Sequence, residues 1–324
     1  MSVKIYKHNS QFNLEMGGQI AELEIAYHTY GVLNKDKSNV VWVFHALTAS
    51  SDVMAWWPGL FGENDLFNPE EHFIICANVL GSPYGSTMPT DLSFPIFTTR
   101  DVVKAELLLA KHLQIDTIQV AIGGSFGGNQ GLEFAYSFTG KIDHLIMIAS
   151  SAKESAWSQA IHEAQRLAIE ADQTFGEPDG GKAGLKAARG LALLTYRTSE
   201  TYIAQQTDID DRVDDFKAAS YIRYQGDKLV NRFNTLSFYY LSKCLDTHHI
   251  GRGRGGEKKA LNKINTRTLA IGFTSDMLIP INLTEYMAAE MPNATFKTLD
   301  SDVGHDGFLV ETEKLTKVIS EFLI

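Results

Sequence analysis

The feature that most constrains this chain is the run "TIQVAIGGSFGGNQGLEFAYSF", residues 117–138. Its first half is a continuous apolar stretch of the kind that forms a strand covered on both faces. Its second half has helical character. Between them Gly123, Gly124, Gly127 and Gly128 surround Ser125 and Phe126. Glycine weakens the interior of either element, so four at the seam imply a turn too tight for side chains. A strand that becomes a helix at once points to layered α/β structure, with the serine at the apex of the turn.

The rest of the chain repeats this alternation. "NVVWVFHAL", "HFIICANVLG" and "IDHLIMIASS" read as buried strands, and "AELEIAYHTYG" alternates as a half-buried strand does. "TTRDVVKAELLLAKHLQI" has helical spacing. Strand–helix–strand order implies a doubly wound, mostly parallel sheet. From 152 to 261 the pattern turns helical, with no clear buried strand. It includes an apolar stripe at Leu229, Phe233, Leu236 and Tyr240, and ends in the basic "GRGRGG" at 251–256. The α/β pattern then returns with "TRTLAIGFTSD" and a final helix, "TEKLTKVISEFL". The expectation is one core built from 1–151 and 262–324, carrying a helical cap at 152–261.

Gly123 to Gly127 also fits G-x-S-x-G in the strand-to-helix context that the motif requires. That turn lifts a serine above the sheet, over a helix N-terminus that favours negative charge. A serine hydroxyl is a weak nucleophile until a base takes its proton. The chain order Ser, Asp, His selects Asp276, after the late strand "LAIGF", and His305, on the loop before the last helix. Asp302 and Asp306 are rivals for the acid; Asp302 shares the loop of the histidine and is poorly placed to orient its ring from the far side. The two oxyanion donors are expected to be the backbone N–H groups of Phe126 and of Leu47, on the loop after an early strand. His45, on that strand end, reads as a residue that holds the loop.

Composition sets outer limits. A net charge of −10 argues against nucleic acid or an anionic membrane as partner. Two cysteines, Cys76 and Cys244, cannot build a disulfide framework, and no metal-ligand constellation is visible. The first residues lack the apolar core of a signal peptide, and no apolar run reaches the length of a membrane span. The expectation is a cytoplasmic, metal-free protein without a membrane.

Collinear segments from about residue 12 onward carry a resemblance. They include "LEIAYHTYGVLN", "HALTAS", "FIICANVLGSPYGSTMP", "GGSFGGNQGLEFA", "ARGLALLTYR", "SYIRYQGDKLVNRFN", "IGFTSDMLIP" and "GHDGFL". With them the chain resembles the homoserine O-acetyltransferase family of α/β-hydrolase-fold enzymes. The resemblance implies an α/β-hydrolase fold and a ping-pong transfer of acetyl from acetyl-CoA to L-homoserine, in methionine biosynthesis. Acetyl-CoA would be a co-substrate, with no permanently bound cofactor. It implies Arg189 for the acceptor carboxylate, Tyr196 and Asp306 for its amino group, and a homodimer formed through the cap. The chain departs from the family's usual pattern at Ala49, Phe126, Asn129, Gly131 and Phe134. Phe126 in particular is expected to make a bulkier wall. L-serine or succinyl-CoA as substrate, or water as acceptor in an esterase or thioesterase, remain open here. The "GRGRGG" segment reads as a solvated loop, with contact to coenzyme A phosphates as its alternative.

Overall fold

The computed structural model describes residues 2–324. Eight strands form one sheet: β1 Lys4–His8, β2 Leu23–Tyr30, β3 Val40–Phe44, β4 Phe73–Ala77, β5 Thr117–Gly124, β6 Lys141–Ile148, β7 Arg267–Phe273 and β8 Ala294–Leu299. Their spatial order is β1-β2-β4-β3-β5-β6-β7-β8. The β1–β2 and β2–β4 pairs are antiparallel, and the others are parallel. The chain leaves β3 first for β4 on one side and later for β5 on the other. Ligands of open parallel sheets bind at such a reversal, outside the strand C-termini.

All five residues of β3 are buried, as its continuous apolar run requires. Trp42 and Phe44 project from it onto Phe134, with ring centroids 5.5 and 5.2 Å away. Phe134 lies on α2 (Phe126–Ser137), which follows α1 (Thr99–His112) in the chain. A reciprocal cap between Thr98 and Asp101 starts α1. The strand β2 is more buried than its alternation suggests, with only Glu24 and His28 half-buried. The reason is a covering loop: Ser86, Thr87 and Asn78 hydrogen-bond to the β2 backbone at Glu24 and Ala26. The edge strand β1 escaped the sequence reading because Ile5 is its only aliphatic residue and none of its five residues is buried.

Six helices lie between β6 and β7 among the described residues: α3 Ala156–Glu170, α4 Lys182–Tyr196, α5 Ser199–Gln206, α6 Lys217–Val230, α7 Thr235–Asp246 and α8 Glu257–Leu261. The apolar stripe from Leu229 to Tyr240 spans two of them, α6 and α7. It breaks where Asn234 accepts a hydrogen bond from the Ser237 N–H and starts α7. The stripe Leu229, Phe233, Leu236 and Tyr240 is buried inside the molecule and is no outer face. After β7 come α9 (Ile281–Ala289), α10 (Gly307–Val310) and α11 (Thr312–Leu323).

The "GRGRGG" segment is a turn whose glycines Gly253, Gly255 and Gly256 are exposed, but its arginines are not left to solvent. Arg252 pairs with Glu15, and Arg254 pairs with Glu133 while stacking on Tyr136. Both arginines are therefore held by carboxylates, joining this segment to the N-terminal region and to α2. Cys76 and Cys244 are free and buried. No helix among the described residues is long and apolar enough to cross a membrane.

Candidate active site

Strand β5 ends at Gly124 and helix α2 begins at Phe126, so Ser125 alone makes the turn. Its backbone has φ +56° and ψ −125°, a conformation that non-glycine residues avoid. Such strain persists only where the surroundings enforce it. Here the Ser125 N–H donates to Ile148 O at the end of β6, 2.8 Å away. The close approach of helix and sheet explains two of the glycines. A Cβ on Gly127 would lie 2.1 Å from Phe44 O, and one on Gly123 would lie 2.4 Å from the Gly127 carbonyl.

The turn presents Ser125 Oγ 2.8 Å from His305 Nε2. On the other side of the ring, His305 Nδ1 is 2.7 Å from Asp276 Oδ2. Asp276 is fixed in turn, because its Oδ1 accepts from the N–H groups of Leu278 and Ile279, each at 2.9 Å. The sequence order Ser, Asp, His thus converges in space as one hydrogen-bonded chain. Asp302 is exposed, and its carbonyl accepts from Thr198 and Thr201, so it does not compete for the ring. Asp306 forms an ion pair with Arg197, its Oδ2 2.7 Å from Nε. Burial alone pushes the His305 imidazole toward the neutral form. The charge and hydrogen bond of Asp276, helped by Asp306 and Glu154, outweigh this and raise its pKa above the ordinary 6.5.

His45 is buried and faces away from this chemistry. Its Nδ1–H donates to Ala46 O at 2.8 Å, and its Nε2 accepts from the Val79 N–H at 3.1 Å. Burial lowers its pKa to about 4, which keeps the ring neutral. It therefore holds the loop that carries Leu47. Among the described residues, the Leu47 and Phe126 backbone N–H groups donate to no protein acceptor.

Ser125 and His305 line a cavity of about 680 Å³. Ala46, Leu47, Trp56, Phe308 and Leu309 give it an apolar side. Arg189, Tyr196 and Asp306, which the resemblance implies for the acceptor, also line it, so the three meet in one place. The Arg189 guanidinium lies 5.7 Å from the centroid of the Tyr196 ring, which is itself 5.8 Å from that of His305. The Phe126 side chain is fully buried in the core and does not line the cavity. The bulkier wall expected from it is therefore not there; Ala49 is the departure that does reach the cavity.

Sequence reading missed Arg197, Lys228 and Arg232, which also line the cavity, and Glu154. Burial raises the pKa of the Glu154 carboxyl, which sits 3.5 Å from the Asn129 amide. Arg197 directly follows Tyr196, and Lys228 and Arg232 lie within "DKLVNRF". Arg232 lies just past the end of α6, so no single helix face in the sequence could have flagged the last two together.

A model of the α/β-hydrolase fold matches residues 39–312. A homoserine O-acetyltransferase of Cyclobacterium marinum is 42% identical, over 100% of this chain and 96% of its own length. The chain belongs to the homoserine O-acetyltransferase family. A solved homoserine O-acetyltransferase from Staphylococcus aureus superposes with a TM-score of 0.87 at 29% identity, covering 99% of this chain and 95% of that one. The esterase E22 superposes with a TM-score of 0.90 at 20% identity, covering both chains fully. That likeness speaks for the fold alone. Membership of the homoserine O-acetyltransferase family makes this chain an acyltransferase.

The histidine environment sets a pH dependence. His305 accepts a proton only when neutral, and its pKa lies above 6.5. The rate of Ser125 acylation is expected to fall as pH drops through that raised value, and to level off above it. An acid limb centred below 6.5 in single-turnover kinetics would contradict the assigned environment.

Proposed function

We propose that this chain transfers acetyl from acetyl-CoA to the side-chain hydroxyl of L-homoserine through an acetyl–Ser125 intermediate. The observation that carries this reading is the hydrogen-bonded chain from Ser125 through His305 to Asp276, opening on a cavity that also holds Arg189 and Asp306. As Ser125 Oγ attacks the thioester carbonyl carbon, its proton passes to His305 Nε2. The carbonyl oxygen gains the negative charge and is met by the Leu47 and Phe126 N–H groups. Collapse of this intermediate breaks the carbon–sulfur bond. The proton on Nε2 goes to the leaving sulfur, and free coenzyme A departs.

In the second half, the homoserine hydroxyl gives its proton to His305 Nε2 and attacks the acetyl carbonyl. The Ser125 ester bond breaks, the proton returns to Oγ, and O-acetylhomoserine leaves. Throughout, Asp276 accepts from Nδ1–H and stabilises the transient imidazolium. A guanidinium can grip a carboxylate with two parallel bonds, which suits Arg189 to the acceptor carboxylate. Asp306 gives one oxygen to Arg197, and the other has no protein partner among the described residues. That second oxygen suits the acceptor ammonium, and Tyr196 lines the same cavity. The helices of 152–261 act as the cap that supplies Arg189 and Tyr196.

Arg189→Ala tests the acceptor half. Acetyl–Ser125 should still form at close to the normal rate, while kcat/KM for L-homoserine falls about 100-fold, the loss of a charge-assisted pair. Unchanged acceptor kinetics would refute the assignment. The same cap exposes Leu191, Leu194, Ile203, Ile209, Val213 and Phe216. Exposed apolar side chains gathered in one part of the sequence favour a second copy of the chain. Light scattering should give twice the 35.9 kDa chain mass; a monomer at micromolar concentration would end the dimer reading.

A further inference from the structure

Residues 152–261 contain eight arginines. Arg166, Arg197, Arg212, Arg223, Arg252 and Arg254 each pair with an aspartate or glutamate. Among the described residues, the two without a carboxylate partner are Arg189 and Arg232, and both line the cavity around Ser125. In a chain of net charge −10, leaving these two guanidiniums unneutralised calls for a reason. Arg189 has one in the acceptor carboxylate. Arg232 does not.

Arg232 is held in place without being neutralised. Its Nη1 donates to Thr48 O at 2.5 Å and to the Tyr84 hydroxyl at 2.9 Å, and its Nη2 to Thr48 Oγ1 at 3.4 Å. All three acceptors are uncharged, and the side chain stays exposed to the cavity. Thr48 adjoins Leu47, so this charge sits beside one expected oxyanion donor. Lys228, four residues earlier in the last turn of α6, also lines the cavity and has no carboxylate partner among the described residues. A helix C-terminus favours a cation, but this does not explain why two of them border the cavity. Two cations lining a partly apolar cleft, one of them already oriented by hydrogen bonds, make a site for an anion.

We propose that Arg232 and Lys228 form a subsite for a phosphate group on the carrier of the acyl donor. Donor choice then depends on that phosphate as well as on the thioester. This rests on the reading that the cavity accepts an acyl thioester. The acetyl group is neutral and the acceptor carries one carboxylate, so the phosphates are the remaining anions that the two reactants bring.

The test compares acetyl-CoA with S-acetyl-N-acetylcysteamine, a thioester that lacks phosphates. The readout is the rate constant for acylation of Ser125, followed by thiol release without any acceptor. It stays readable even if homoserine proves to be the wrong acceptor. Lys228→Gln is the cleaner variant, since Arg232 also holds Thr48. The preference for acetyl-CoA over the short thioester should fall about tenfold in Lys228→Gln, as for loss of one charge-assisted contact. It should fall further in Arg232→Gln, and wild-type acylation by acetyl-CoA alone should weaken with added salt. A preference unchanged in both variants overturns the proposal. Equal loss with both donors would reduce Arg232 and Lys228 to wall and loop supports. Loss confined to succinyl-CoA would make the pair a site for an acyl-chain carboxylate, and also overturns it.

Discussion

Ser125→Ala is expected to lower kcat by about 10⁶-fold, the scale on which removal of a triad nucleophile acts. The loss should be the same with acetyl-CoA, with a short thioester and with any acceptor, because every route passes through the Ser125 ester. The fold should survive, since alanine fits where serine does and the Ser125 N–H bond to Ile148 O is a backbone contact. Intact-mass measurement after exposure to acetyl-CoA should show one added acetyl group on the parent protein and none on the variant. Substantial turnover in Ser125→Ala would mean direct attack by the acceptor on the thioester, and the two-step scheme would fall.

Asp276→Asn should be the next largest effect, lowering kcat about 10⁴-fold. The geometry dictates why. Oδ1 accepts from two backbone N–H groups, Leu278 and Ile279. In asparagine the carbonyl oxygen must stay there, since an amide nitrogen has no lone pair to offer them. The NH₂ group is then turned toward His305 Nδ1. The imidazole is forced into the tautomer with its proton on Nε2, where it cannot accept from Ser125. The variant also removes the charge that raises the His305 pKa, leaving burial to lower it. The acid limb of acylation should therefore move to lower pH. Near-normal kcat, or an unmoved acid limb, would show that Asp276 neither orients nor charges the ring.

Much of this was legible from residues alone, and the reason is local. Ser125 is announced by glycines that the helix–sheet contact demands, and its partners by their place after β7 and before the last helix. The continuous apolar run of β3 likewise marks a strand covered on both faces. Features set by distant parts of the chain were not legible. Whether β2 is half-covered depends on a loop more than fifty residues away. The stripe at Leu229 to Tyr240 shows helical periodicity but not which side is inward. Phe126 is next to Ser125 in sequence, yet its side chain turns into the core. Arg197 and Arg232 gain meaning only from Asp306 and Thr48, over a hundred residues away.

The central claim is transfer of an acetyl group to one particular alcohol. It is tested most directly by incubating the protein with acetyl-CoA alone, then with L-homoserine, L-serine or succinyl-CoA in separate arms. Free thiol and product mass are followed together. The account expects a stoichiometric burst of thiol without an acceptor, sustained release only with L-homoserine, and O-acetylhomoserine as product. Sustained release at the same rate without any amino acid would contradict it and make this site a thioesterase.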